Sequence, residues 1–226
     1  MALEIKKIDK FIYPGTHRET IEGKRHYVIG EEKLPSVTTI LAATQSEEKR
    51  KKLAEWRARE GAKKADQIKQ RAANRGSTMH KVLEHKILGK GYADMTELGQ
   101  QAMKMAERIA ERGLCNVSDY YGTEVNIYYP GLYAGQTDLA CVHNGSDAIV
   151  DFKQTNKPKQ REWISDYFTQ GAAYCMAHDY VYQSEIKQGI IMVCTPDLYY
   201  QEFKIDGANL RKAKHDFLRR LDRYHE

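Results

Sequence analysis

The stretch AIVDFKQTNKPK places an acid and an amine, Asp151 and Lys153, on either side of Phe152 in a run that otherwise reads as a buried strand. Residues two apart on a strand project from one face, so the carboxylate and the ammonium stand side by side while Val150 and Phe152 point the other way. A bare Asp-x-Lys is most simply an ion pair at a strand end. Asp138, in YAGQTDLACV, changes the reading. A turn at HNGSD would fold its strand back antiparallel onto the Asp151 strand, bringing the two carboxylates face to face at one end of a hairpin. Like charges at such a distance resist joint ionisation, and a divalent cation removes that penalty. Mg²⁺ takes a few carboxylates, waters and phosphate oxygens as its ligands. Lys153 beside it could orient or deprotonate an attacking water, or offset the charge of a pentacovalent phosphate. An Asp followed by a later Asp-x-Lys is the pattern expected of metal-dependent phosphodiester hydrolysis.

Two further pairs bear on this chemistry. His80 and Glu84, in RGSTMHKVLEH, are four apart and share a helix face, where imidazole and carboxylate could complete a metal site. The plainer reading is a contact on a helix surface. Gly76 ahead of them would admit a close approach of backbone or ligand. Gln170 and Tyr174, in YFTQGAAYCMAH, have the same spacing and could hold a phosphate oxygen or the lysine; otherwise they belong to a half-buried amphipathic helix.

The elements that must position these residues follow from periodicity and turn residues. The first forty residues are mixed, with short strands such as HYVIG. Thr44-Gln45-Ser46-Glu47 has the spacing of a capping box. Helix is expected from about 47 to 73 with Gly61 as a weak point, again through RGSTMHKVLEHKILGKG, and from about 97 to 111. From Gly122 onward TEVNIYY, LYAGQTDLACV, AIVDFKQ, GIIMVCT and YYQEFKI read as strands, with one helix at about 164–178 and a closing helix from about 206. The expectation is one domain over 1–226, mainly helical over about 44–113, with a sheet core and closing helix over about 120–226. Its class is α/β or α+β, with a central mixed β-sheet flanked by helices and a helical N-terminal half.

Composition is that of a globular chain: 226 residues, 41% hydrophobic and 30% charged. No apolar run is long enough to cross a bilayer, and MALEIKKIDKF has neither a signal-peptide nor a transit-peptide character, so an intracellular, cytoplasmic protein without membrane contact is expected. Cys115, Cys141, Cys175 and Cys194 are too widely spaced for a zinc knuckle or a CxxC pair. The net charge of +5 is unevenly spread. KRKKLAEWRAREGAKKADQIKQRAANR and KPKQR are dense in Lys and Arg, which suggests contact with a polyanion, usually nucleic acid. The candidate DNA-binding residues are Arg57, Lys63, Lys64, Arg71, Arg75, Lys157 and Lys159. Trp56, Trp163, Phe168 and the tyrosines near 128–133 are candidates for base stacking, with core packing as the plainer role.

Taken together and in order, RGSTMH, AGQTD, VDFKQTNK and QGAAY resemble the RecB-like branch of the PD-(D/E)XK nucleases. LPSVTTIL before the helices, and SEIKQGIIMVCTPDLYYQEFKI before the closing one, are similar to the mitochondrial genome maintenance exonucleases and their phage-encoded relatives. The resemblance covers roughly residue 34 to the C-terminus. It implies a restriction-endonuclease-like core and a Mg²⁺- or Mn²⁺-dependent DNA exonuclease that prefers single strands with free ends. His80, Asp138 and Asp151 match the family's metal ligands, and the Phe152 carbonyl a backbone ligand. Glu124 and Glu84 are further candidates. Lys153 matches the catalytic lysine, and Gln170 and Tyr174 the motif on the helix after the catalytic strands. Gln154 stands where the family often has Ser or Thr. The four cysteines do not match the iron–sulfur members, so no cluster is expected. The alternatives are a duplex-resecting exonuclease of the same superfamily and a non-catalytic nucleic-acid-binding module on the same fold.

Overall fold

Residues 3–226, those described in the computed structural model, form nine strands, six α-helices and two short 3₁₀ turns. The N-terminal part holds β1 (Lys6–Lys7) and an antiparallel meander of β2 (His17–Ile21), β3 (Lys24–Ile29) and β4 (Glu32–Pro35). Helices α1 (Val37–Ala43), α2 (Glu47–Glu60), α3 (Ala62–Ile87) and α4 (Glu97–Arg112) follow. Then come β5 (Val117–Tyr129), β6 (Tyr133–His143), β7 (Ser146–Gln154), α5 (Ser165–Tyr182), β8 (Gln188–Cys194), β9 (Tyr200–Asp206) and α6 (Gly207–His225).

The main sheet runs β1-β5-β6-β7-β8-β9. Strands β5, β6 and β7 are antiparallel, β7 and β8 are parallel with α5 as the crossover, and β9 returns antiparallel to β8. The β6–β7 register is pinned by its turn. Asn144 (φ 47°) and Gly145 (φ 74°) are both left-handed, as a two-residue hairpin loop requires, and His143 pairs with Ser146. Helices cover both faces of the sheet. Leu139, Val150, Phe152 and Met192 pack with Met79 and Leu83 of α3 and Met105 and Ile109 of α4. Ala140, Ile149, Ile191 and Val193 pack with Ile40 of α1, Ala173 of α5 and Phe217 of α6. This is a mixed α/β architecture of the restriction-endonuclease-like kind. No helix among the described residues is long and apolar enough to cross a membrane.

Two local expectations are corrected. The chain breaks at Gly61 as expected, its φ of 81° being one that no neighbouring side chain could adopt without strain, but α3 then runs unbroken through Gly76, so the further helix expected from RGSTMH onward is the continuation of α3. Thr44 is not the start of a capping box but the residue that closes the C-terminal end of α1, its hydroxyl donating to the Ile40 carbonyl. Ser46 caps α2 instead, accepting from the Lys49 N–H. None of the residues of α2 is buried.

Candidate active site

The β6–β7 hairpin makes the floor of a cleft of about 660 Å³. One step beyond the Leu139↔Val150 pair, the antiparallel register sets Asp138 opposite Asp151. The Phe152 N–H donates to Asp138 Oδ2 at 2.5 Å, fixing one carboxylate against the strand that carries the other. Both are nearly inaccessible, at 6% and 2% exposure. The Lys153 ammonium pairs with Asp151 Oδ2, as the two-residue spacing on one face requires. From α5, the Gln170 amide donates to Asp151 Oδ1 at 3.4 Å and to the Tyr174 hydroxyl at 3.0 Å.

The third wall comes from α3 and β5. His80 Nδ1 lies 3.2 Å from Asp138 Oδ1 and 3.7 Å from Glu124 Oε1. Potential ligand atoms of His80, Glu124 and Asp138 all fall within 4.8 Å of one another. Glu124 is delivered by an unusual backbone. Its φ is 51°, left-handed for a residue with a Cβ, and it follows a register irregularity between Tyr120 and Gly122. Such strain is held only where the surroundings over-determine it, and it concentrates at working sites. Its carbonyl accepts from the Gln136 amide at 2.8 Å. Glu84 lines the same cleft but lies outside the tight group.

The electrostatics suit a cation. Burial raises Asp151, and Asp138 adds to this, so that its carboxyl titrates at about 6 despite Lys153 beside it. Burial raises Glu124 as well. Asp138 has the opposite balance: burial works to raise it, but the His80 imidazole and Lys153 hold it below the ordinary value. Burial would lower His80, yet Asp138 and Glu124 hold its pKa up at about 10. Lys153 is likewise raised, because Asp151 and Asp138 outweigh its burial. In the protein by itself, therefore, the imidazolium is the counter-charge that a divalent ion would replace, and the Lys153 ammonium stands beside it against Asp151. A second sign of fit is Asp151 Oδ2, which is buried without a hydrogen-bond partner and has only the lysine for company. One imidazole nitrogen with two or three carboxylates is a donor set for a hard or borderline divalent ion.

Several site residues carry a weaker signal in the sequence. A Cβ at Gly135 would run into the Tyr174 ring, so the glycine in AGQTD makes room for the α5 motif. Gly76 sits against Gln154, where a Cβ would meet Cγ at 3.4 Å. Arg18, Arg25, Tyr27, Ser36 and Thr38 also line the cleft, although nothing in their spacing marks them.

The basic surface is redistributed. Arg75 is corrected from a candidate DNA contact to an internal strut: it is 5% exposed, and its guanidinium donates to Gln154 at 2.9 Å, to Gln101 at 3.0 Å and to Asn156. It thereby ties α3, which carries His80, to the end of β7, which carries Asp151 and Lys153. Arg57 pairs with Asp66, Lys64 with Glu60, and Arg71 with Glu97, so these charges are locally matched. Lys63 and Lys157 are exposed and Lys159 is half-buried, all outside the cleft lining. Of the aromatic candidates, Tyr133 and Phe168 are core residues, Trp56 is half-exposed on α2, and Trp163 is 60% exposed.

No protein-family model matches the chain, and no curated protein matches it. Three solved structures align with it in part and at low identity. A provisionally named exonuclease from Eubacterium rectale aligns with a TM-score of 0.49 and 17% identity over 68% of this chain and 67% of that one. The protein SSO0001 aligns at 0.41 and 17%, over 85% and 78% of the two chains. An alkaline exonuclease from Laribacter hongkongensis aligns at 0.32 and 14%, over 65% and 79%. At such scores an activity does not transfer, and the chemistry of the cleft has to carry the reading.

Proposed function

We propose that this protein is a Mg²⁺- or Mn²⁺-dependent DNA exonuclease acting on single strands with free ends, of the RecB-like branch that its motifs resemble. The observation that carries the reading is the floor of the cleft. Asp138 and Asp151 face each other from adjacent strands, Lys153 stands beside Asp151, and His80 with Glu124 closes the group from the other wall. His80, Glu124 and Asp138, with Asp151 and the Phe152 carbonyl alongside, would hold the divalent ion. That ion would supply Lewis acidity toward a phosphoryl oxygen and make a bound water more acidic.

The chain's own residues supply the rest. Asp151 fixes the position of Lys153, whose ammonium offsets the charge that gathers on the phosphoryl oxygens as a fifth oxygen approaches. Gln170 holds Asp151 Oδ1 and is itself held by Tyr174, so the carboxylate cannot swing away. Water adds to phosphorus, one P–O ester bond breaks, and the departing oxygen leaves as a hydroxyl after taking a proton. A module that only bound nucleic acid would have no need of this constellation.

The test is product analysis on end-labelled single strands with Mg²⁺ or Mn²⁺, beside a closed circular single strand and a blunt duplex. Release of short products from the linear strand alone is expected. Cutting of the circle would make the protein an endonuclease, faster loss of the duplex would favour the resecting alternative, and inertness toward every substrate in both metals would refute the nuclease reading.

A further inference from the structure

The cleft holds four carboxylates, Glu84, Glu124, Asp138 and Asp151, and a polyanion entering it needs more positive charge than one metal ion provides. Of the Lys and Arg side chains of α2 and α3, Lys81 lines the cleft, while Lys52, Arg57, Lys64 and Arg71 are each paired with an acid elsewhere. The N-terminal meander adds two more cations. Arg18 on β2 and Arg25 on β3 both line the cleft, both are exposed, and among the described residues neither guanidinium faces a carboxylate partner.

Their placement follows from register. Arg18 pairs with Tyr27 and Thr20 with Arg25. The two arginines are therefore diagonal neighbours on one face of the meander, roughly 7–8 Å apart. His17 and Glu19 take the other face, where Glu19 pairs with Lys33. Two features orient the pair toward the catalytic group. The Arg18 guanidinium lies over the Tyr27 ring, 5.4 Å from its centroid, and donates to Gln136 Oε1. Gln136 is two residues from Asp138 on the same face of β6, and its amide reaches the Glu124 carbonyl. Arg18 is thus linked through one side chain to the paired strands β5 and β6, which carry the candidate metal ligands Glu124 and Asp138. Arg25 is anchored by its own carbonyl, which accepts from the Ser36 N–H at 3.0 Å and the Thr39 hydroxyl at 3.2 Å at the start of α1.

We infer that Arg18 and Arg25 are substrate-binding residues, a two-pronged grip on successive phosphates of the strand whose scissile bond lies over Asp138 and Asp151. A guanidinium presents a planar fork to a phosphate, and a pair on one rigid sheet face suits an extended backbone without reading its bases. This inference rests on the nuclease reading for the position of the scissile bond. The occupant it names, a single-stranded nucleic acid backbone, can be tested without catalysis.

The experiment measures anisotropy of a labelled oligothymidylate titrated with the Asp151→Asn protein in Mg²⁺ over a range of salt. Arg18→Gln and Arg25→Gln should each weaken binding about ten-fold, the size expected for one charge-assisted contact. Each should also lower the slope of log affinity against log salt by about 0.7, the value for one phosphate contact on a single strand. Arg18→Lys and Arg25→Lys should keep the slope and recover part of the affinity, which a misfolded meander would not. Lys212→Gln on α6, outside the cleft, removes the same charge and should change affinity less than two-fold. A double Arg→Gln protein that binds within two-fold of its parent, with the slope unchanged, would overturn the inference, as would a parent that binds no single strand. Binding that depends on both arginines, in a protein whose native form hydrolyses nothing, would overturn the nuclease reading and leave the grip standing. Hydrolysis indifferent to both arginines would do the reverse.

Discussion

Replacing Glu124 with glycine should stabilise the metal-free protein while weakening its hold on metal. The residue sits at φ 51°, and a side chain held in that region costs of order 1–3 kcal/mol. Glycine adopts the same conformation freely, but its looser unfolded chain offsets roughly 0.5–1 kcal/mol of the gain. Removing a carboxylate that burial and Asp138 both push toward protonation acts in the stabilising direction. The contact with His80, at 3.7 Å, is the one favourable interaction lost. The net is a gain of about 0.5–2 kcal/mol, or about 1–8 °C in melting temperature for a domain of this size. The assay is thermal unfolding with a chelator and again with excess Mn²⁺. With the chelator the variant should melt higher. With Mn²⁺ the wild type should rise more, because binding to the folded state alone stabilises by mass action. A variant that melts lower with the chelator would show that no strain is relieved at 124. An equal rise in Mn²⁺ for both proteins would remove Glu124 from the ligand set.

Asp151→Asn should abolish hydrolysis and leave binding of single strands largely intact, as measured by turnover and anisotropy on one substrate; turnover near wild type would refute its role. Lys153→Ala should stay nearly inactive at saturating Mg²⁺, since added metal cannot replace a positioned amine, and full rescue by metal would reduce the lysine to a bystander. His80→Ala should raise the metal concentration for half-maximal rate and keep more activity in Mn²⁺ than in Mg²⁺; an unchanged metal titration and maximal rate would return His80 to an ordinary helix position. With a chelator present, the stabilisation from His80 should depend on pH in a defined direction. Its pKa is held at about 10 against 6.5 when free, so the contribution is complete below 6.5 and is lost as pH rises through 10. The melting-temperature gap between wild type and His80→Ala should therefore be widest near about pH 6 and close at alkaline pH.

The placing of Asp138, Asp151 and Lys153 together on the floor of the cleft was legible because it is local. Asn144-Gly145 is a hairpin turn by composition, and once the turn is placed the period of two puts Asp138, Asp151 and Lys153 on one face without tertiary information. The sheet core and closing helix were legible for a similar reason, as strong periodic runs between turn residues. His80 and Glu84 could be paired on a helix, but their distance from the sheet could not be read, and it is the fold that selects Glu124 over Glu84 for the tight group. Charge counted along the basic helices does not show its partners; Arg57, Lys64 and Arg71 are matched by acids on the same or adjoining segments. Arg75 was misassigned because burial of a guanidinium among three amides leaves no trace in spacing. Arg18 and Arg25 lie in short strands of mixed composition, and only the docking of the meander, through the Ser36–Ala134 bridge, brings them to the cleft.

Helix α2 has no buried residue and hangs between its Ser46 cap and the turn at Gly61, and its direct tie to α5 is Lys49 to Asp166 at 2.6 Å. A segment that buries so little contributes little to global cooperativity, so its amides should exchange by local opening, far faster than those of β8, where every residue is buried. Arg220 of α6 shares the same aspartate, so when the lysine lets go the carboxylate is not stranded. Salt that screens this tie would loosen α2 while the sheet and its cleft stay closed, making the helix a separately melting arm on an otherwise cooperative body.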